Sequence, residues 1–152
     1  MISEVISKLL ETKTTIATAE SCTGGLVAKT ITDFSGVSDI FGEGYVTYSN
    51  EAKMKNLGVN PETLKNYGAV SRETCEEMAK GVRIRANASL GVSTTGIAGP
   101  GGGTKEKPVG LVYIGVSTEE KTVVEELRLT GTREEVRQKT VESLFELINK
   151  AL

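Results

Sequence analysis

The chain has no histidine and no tryptophan, and only two cysteines, three prolines and 5% aromatic residues in 152 positions. Each scarcity removes a class of explanation. Without histidine, neither a Ser-His-Asp triad nor a Cys-His pair can operate, because both use imidazole as the proton acceptor. Cys22 and Cys75 lie far apart and make no CxxC spacing, which argues against a structural zinc site and against a disulfide in a reducing compartment. Neither a metal nor a cofactor is expected. The net charge is −2, from 18 basic and 20 acidic residues, so the basic excess typical of nucleic-acid-binding domains is missing. No apolar run approaches the roughly 20 residues of a membrane span. The opening "MISEVISKLLETK" alternates apolar with charged residues, unlike a secretory signal or an Arg-rich transit peptide. The expected setting is the cytoplasm. The expected partner is a small molecule, with no nucleic acid and no membrane.

What is present is an alternation of strand and helix patterns. Residues 3–12 place Val5, Ile6, Leu9 and Leu10 on one helical face. "TTIATAE" (14–20) reads as a buried strand, and "LVAKTITDF" (26–34) as the helix that follows its turn. "GYVTYS" (44–49) reads as a second strand, with a short helix opening at Asn50 as N-cap. Asn60, Pro61 and Gly68 mark the start, first turn and stop of a helix over 60–68. Ser71 opens another helix, over 71–87, with Met78, Ala79 and Val82 as its apolar positions. "ASLGVSTTGIAG" (88–99) is a strand running into a glycine-rich loop. "PVGLVYIGVST" and "KTVVEELRLT" flank Glu119-Glu120 as a β-hairpin. The last twenty residues form an amphipathic helix with Val136, Val141, Leu144, Phe145 and Ile148 inward. These elements predict one α/β domain over 1–152, a three-layer α/β/α sandwich on a mixed, mainly parallel sheet with a late hairpin.

In such sheets ligands gather at the carboxyl ends of strands, and three segments lie there. "ESCTGG" (20–25) places Ser21 and Thr23 near a helix N-terminus, where free N–H groups favour an anion or a developing oxyanion. Simple helix capping is the alternative use of either residue. In "TYSNEAK" (47–53), Lys53 falls in a first helical turn, where the dipole disfavours a cation. With partial burial this yields a neutral amine, the form a general base needs; an ordinary surface lysine is the alternative. "TTGIAGPGGGTKEKPVG" (94–110) fits neither a Walker A loop nor a GxGxxG fingerprint. It offers backbone N–H groups without side-chain obstruction, or else is a flexible connection. Arg133 and Arg137, at i and i+4, share a face suited to a phosphate, or to a solvated helix start.

Taken together, "TAESCTGG", "GYVTYSNEAK", "GAVS" and "STTGIAGPGGGTKEKPVG" resemble the CinA C-terminal domain family, also called the nicotinamide-nucleotide amidohydrolase family. The likeness covers residues 3–151, with four blocks in the family's order. Larger members carry a further N-terminal domain similar to molybdopterin-binding proteins, and this chain resembles the stand-alone form. The resemblance implies metal-free hydrolysis of the carboxamide of nicotinamide mononucleotide to nicotinic acid mononucleotide and ammonia, by a serine–lysine mechanism. Carried onto this chain, the serine is Ser21 and the lysine Lys53.

The expected mechanism makes Ser21 the nucleophile and Lys53 its general base. N–H groups of Thr23, Gly24 and Gly25, or of the Gly96–Ala98–Gly99 loop, would hold the oxyanion. Tyr48 and Thr95 would orient the amide, and Arg137 with Arg133 or Lys105 would take the phosphate. No S-x-x-K string occurs, so the pair has to meet through the fold. Thr23, Ser49 and Cys22 are rival nucleophiles, Cys22 foremost because thiolates are intrinsically more reactive. A pyridine-nucleotide-binding module that does not hydrolyse its ligand is the alternative function. A homo-oligomer is expected of so small an α/β domain.

Overall fold

The computed structural model describes residues 1–152. Five strands form one sheet: β1 (Ile16–Glu20), β2 (Gly44–Val46), β3 (Leu90–Gly96), β4 (Leu111–Ser117) and β5 (Thr122–Arg128). Their spatial order is β2-β1-β3-β4-β5. β1 pairs in parallel with β2 and β3, while β3–β4 and β4–β5 are antiparallel. β4 alone therefore runs against the other four, and β4–β5 is the expected hairpin.

The helices are α1 (Ile2–Thr12), α2 (Leu26–Thr32), α3 (Asn50–Leu57), α4 (Pro61–Tyr67), α5 (Arg72–Ala86) and α6 (Arg133–Ala151). Strand alternation sorts them into two layers. Ile16 of β1, Val92 of β3 and Val112, Ile114 and Val116 of β4 meet Val5, Ile6 and Leu9 of α1, Ile31 of α2 and Leu144, Phe145 and Ile148 of α6. Each such buried side chain is worth about 1.5–3 kcal/mol against exposure. The opposite face carries Ala17 and Ala19, which pack with Leu57, Val59, Leu64, Met78 and Val82. Small residues there let α5 approach the sheet closely. A Cβ added at Gly91 would strike the Ala79 carbonyl of α5.

β1 starts two residues later than read, at Ile16, and α2 ends two earlier, at Thr32; two further differences concern the segment that carries Lys53. β2 stops at Val46 instead of 49, because after the Thr47 N–H bonds the Glu20 carbonyl (2.8 Å) the chain turns away from β1. The N-cap of α3 is Ser49, not Asn50: Ser49 has extended backbone angles and its Oγ accepts the Ala52 N–H at 3.1 Å. Asn60, Ser71 and Thr132 cap α4, α5 and α6 through their side chains, Thr132 in a reciprocal capping box with Glu135. No helix is long and apolar enough to cross a membrane.

Candidate active site

The sheet register aligns Glu20 with Val46 on one side and Thr94 on the other, so β1, β2 and β3 all end close to this row. The chain leaving β1 makes the Ser21–Gly25 turn, and the chain leaving β2 makes the Thr47–Ser49 link into α3. The turn depends on two glycines with positive φ, Gly24 at 58° and Gly25 at 108°, a region that side-chain-bearing residues avoid. In this way two loops 32 positions apart in sequence bring Ser21 and Lys53 together.

Lys53 Nζ lies 3.1 Å from Ser21 Oγ and donates to the Thr47 carbonyl at 2.7 Å. The lysine is 1% exposed, although lysine is among the residues least often fully buried. It forms no ion pair. Burial, outweighing an opposing influence of Cys22, holds its pKa below the usual lysine value. Desolvation, more than the helix dipole expected from sequence, thus favours the neutral amine, since Lys53 is already the fourth residue of α3. A neutral amine has one lone pair and two protons. With one proton directed at Thr47 O, the lone pair is free to accept from the Ser21 hydroxyl.

The rival nucleophiles fare worse. Cys22 is 5% exposed, and burial pushes its thiol up to about 12, leaving almost no thiolate near neutral pH. Thr23 is buried, and its hydroxyl is committed to Glu20 Oε1 (2.6 Å) and Thr94 Oγ1 (2.8 Å). Ser49 caps α3. Ser21 is half-buried and alone has a base at its oxygen.

The backbone donors differ from expectation. The Gly24 N–H bonds the Ser21 carbonyl (3.1 Å) and the Gly25 N–H bonds Glu20 Oε1 (3.2 Å), so neither is available to an oxyanion. The N–H groups of Cys22 and Thr23 donate to no protein acceptor, and neither do those of Ala98 and Gly99. Gly96 belongs to the sheet instead of the loop: it pairs with Val112, and a Cβ there would sit 2.7 Å from the Leu111 carbonyl oxygen. Thr95 donates to the Ala69 carbonyl at 2.8 Å, which ties the "GAVS" turn to β3 and leaves its oxygen only as an acceptor.

Arg133 joins two of the loops. It donates from Nη1 to the Gly99 carbonyl (2.7 Å) and from Nη2 to the Tyr48 hydroxyl (2.9 Å). Arg137 donates from Nε to the Cys22 carbonyl at 2.8 Å. Neither arginine has a carboxylate partner, so both charges remain unneutralised beside the turn. They line a cleft of about 740 Å³ with Thr23, Gly24, Gly25, Lys29 and Glu134; Ser21 and Lys53 lie outside its lining. A cleft of about 780 Å³ between α3, α5 and β2 contains none of these residues. Lys105 is exposed and unpaired; Lys107 instead reaches the Tyr67 carbonyl (2.6 Å).

Three groups at the site were not among the sequence candidates. The Thr47 carbonyl that holds Lys53 is a backbone atom and leaves no mark in sequence. Thr94 Oγ1 meets Thr23 Oγ1 at 2.8 Å and the Ser21 N–H at 3.4 Å. Glu20, 1% exposed, accepts from Thr23 Oγ1, Gly25 N, Val27 N (2.8 Å) and Ala28 N (3.0 Å). An acid closing an apolar strand just before a helix was the available signal, since carboxylates favour helix N-termini.

The family model described as the CinA C-terminal domain matches residues 1–152. Competence-damage inducible proteins of Clostridium acetobutylicum and Thermoanaerobacter pseudethanolicus are each 55% identical to the chain, over 144 and 152 residues. Those alignments cover 95% and 99% of this chain and 35% and 37% of the relatives, so the chain spans little more than a third of their length. Among solved structures, competence/damage inducible protein CihA from Agrobacterium tumefaciens superposes with a TM-score of 0.95 at 42% identity, covering 98% of this chain and 92% of that one. The competence damage-inducible protein A of Klebsiella pneumoniae superposes with 0.94 at 32% identity, with the same two coverages.

Proposed function

The chain belongs to the CinA C-terminal domain family, and on that premise we propose that it is an amidohydrolase that converts nicotinamide mononucleotide to nicotinic acid mononucleotide and ammonia. The observation that carries this reading is a fully buried lysine without an acidic partner, 3.1 Å from a half-buried serine hydroxyl. A surface lysine would be protonated and hydrated. A lysine buried only for structure would be paired with a carboxylate.

In the reaction, neutral Lys53 takes the Ser21 proton as Oγ bonds to the carboxamide carbon, and the carbonyl π pair moves to oxygen. The oxyanion is met by the free N–H groups of Cys22 and Thr23, with those of Ala98 and Gly99 as the alternative pair. A positioned donor of this kind is worth about 10²–10³ in kcat. The Lys53 ammonium then gives its proton to the leaving nitrogen and ammonia departs. Water, deprotonated by the same amine, cleaves the Ser21 ester and restores both groups. Thr95, able only to accept, suits the amide N–H₂ better than the amide oxygen.

The substrate phosphate is assigned to Arg133 and Arg137. The α2 N-terminus, the other natural anion site, is already occupied by Glu20. Incubation with nicotinamide mononucleotide and separation of the products tests the reading. Equimolar ammonia and nicotinic acid mononucleotide are expected, with none from Ser21→Ala. Calorimetric binding with no product from the unaltered chain would select the non-hydrolysing module.

A further inference from the structure

The Glu20 carboxylate makes more contacts around the nucleophile than the lysine does, yet it touches neither Ser21 Oγ nor any open space. Its carboxylate oxygens accept from Thr23 Oγ1, Gly25 N, Val27 N and Ala28 N. No ion pair includes it. A carboxylate can only accept, and this fixes the direction of every bond upstream of it. Thr23 Oγ1 donates its one proton to Glu20, so at 2.8 Å it must accept from Thr94 Oγ1. Thr94 Oγ1, its proton now assigned, can only accept from the Ser21 N–H, at 3.4 Å, which shares that proton with a shorter bond to the Thr94 carbonyl at 3.1 Å. The hydroxyl chain therefore runs Thr94 to Thr23 to Glu20, each link polarising the next, and Thr94 in turn holds the Ser21 N–H through its carbonyl and, more weakly, through Oγ1.

The same residue also supports the base. The Glu20 carbonyl accepts the Thr47 N–H at 2.8 Å, and the Thr47 carbonyl holds Lys53. By occupying Gly25, Val27 and Ala28, the side chain leaves Cys22 and Thr23 as the N–H groups of the turn that remain free. We propose that Glu20 is a positioning residue, whose carboxylate fixes the Ser21–Gly25 turn so that Ser21 Oγ faces Lys53 and the Cys22 and Thr23 N–H groups face the developing oxyanion. This rests on the amidohydrolase reading and deepens it.

A helix cap alone would be a structural role, so the test has to separate capping from positioning. Glu20→Gln keeps the volume but turns one acceptor into a donor opposite existing donors. Thr23→Val leaves the α2 cap untouched and cuts only the link from Glu20 to Thr94; Thr23→Ser keeps the link. Two readouts are compared: steady-state kcat and KM with nicotinamide mononucleotide, and the rate at which diisopropyl fluorophosphate, which requires no substrate recognition, phosphorylates Ser21, followed by intact mass. For Glu20→Gln and Thr23→Val, kcat and the labelling rate are expected to fall about 10²-fold, the scale of one misplaced oxyanion donor, with KM within twofold. Thr23→Ser is expected to stay within about threefold of the unaltered chain.

Glu20→Gln folded and labelled at the unaltered rate would overturn the assignment. If Glu20→Gln does not fold, Thr23→Val decides by the same criterion. An unaltered chain that takes no probe and releases no ammonia removes the hydrolase reading and this assignment together. An unaltered chain that does both, matched by Glu20→Gln, removes this assignment alone.

Discussion

Lys53 Nζ stands 3.1 Å from Ser21 Oγ, across a junction made by the ends of two parallel strands, and no carboxylate neutralises it. The amine is held by a single carbonyl, Thr47 O, at 2.7 Å. A carbonyl orients an amine as well as a carboxylate does, but it does not stabilise the charged form to the same extent. This contact therefore orients the amine beside Ser21 without stabilising its charged form as a carboxylate would.

Stability should reflect that arrangement with a definite sign. Burial lowers the Lys53 pKa in the folded chain from its ordinary 10.5, so between the two values the unfolded chain holds the extra proton and stability rises with pH. Below the folded value the buried ammonium is a constant cost. Lys53→Met, similar in length and apolar, should be at least as stable as the unaltered chain at pH 7 and should lose the upward slope towards pH 10. Urea unfolding at pH 7 and pH 10 measures both effects. Turnover should drop by about 10²–10⁴-fold, the usual share of a general base.

The pH–rate profile separates lysine from cysteine. With Lys53 as base, kcat/KM rises with pH and reaches a plateau below 10.5. With a Cys22 thiolate as nucleophile it would still be climbing at pH 11, because burial puts that thiol at about 12.

Cys22→Ala is the complementary change. It removes one small buried sulfur, at a stability cost of about 1 kcal/mol, and should keep kcat within about threefold. Iodoacetamide should react slowly with the unaltered chain. Loss of all ammonia release in Cys22→Ala would transfer the nucleophile to the thiol.

The two arginines should divide their effects. Arg133 bonds Gly99 O and Tyr48, while Arg137 bonds the carbonyl of Cys22, next to Ser21. Arg133→Ala is expected to raise KM about 10–100-fold, the scale of a lost charged hydrogen bond, with kcat little changed. Arg137→Ala is expected to raise KM and lower kcat together. Nicotinamide riboside, which lacks the phosphate, should be a poor substrate for the unaltered chain and should lose little further with Arg133→Ala.

The layers and most element boundaries were legible in the sequence because they follow local rules. Pro61 and Gly68 bracket α4, Ser71 opens α5, and Val136 to Ile148 keep the helical period. The pairing of Ser21 with Lys53 came from the family resemblance, and periodicity had no access to it. Depth was harder to read: "YSNEAK" has the polar look of a surface helix, yet Lys53 points inward because α3 sits on α5 through Leu57 and Gly81. The hydroxyl of Thr23 looked like site chemistry and is instead a link between Glu20 and Thr94. Bond direction depends on β1 and β3 meeting in register, which no single window of sequence contains.

The central claim is that burial shifts the Lys53 amine toward its neutral form where it meets Ser21. Direct titration of the lysine side chains by NMR, assigned by the loss of one resonance in Lys53→Met, tests it with no substrate present. Lys53 is expected to titrate apart from the other lysines and below 10.5. A Lys53 resonance that titrates with the exposed lysines, at 10.5 or above, would contradict it.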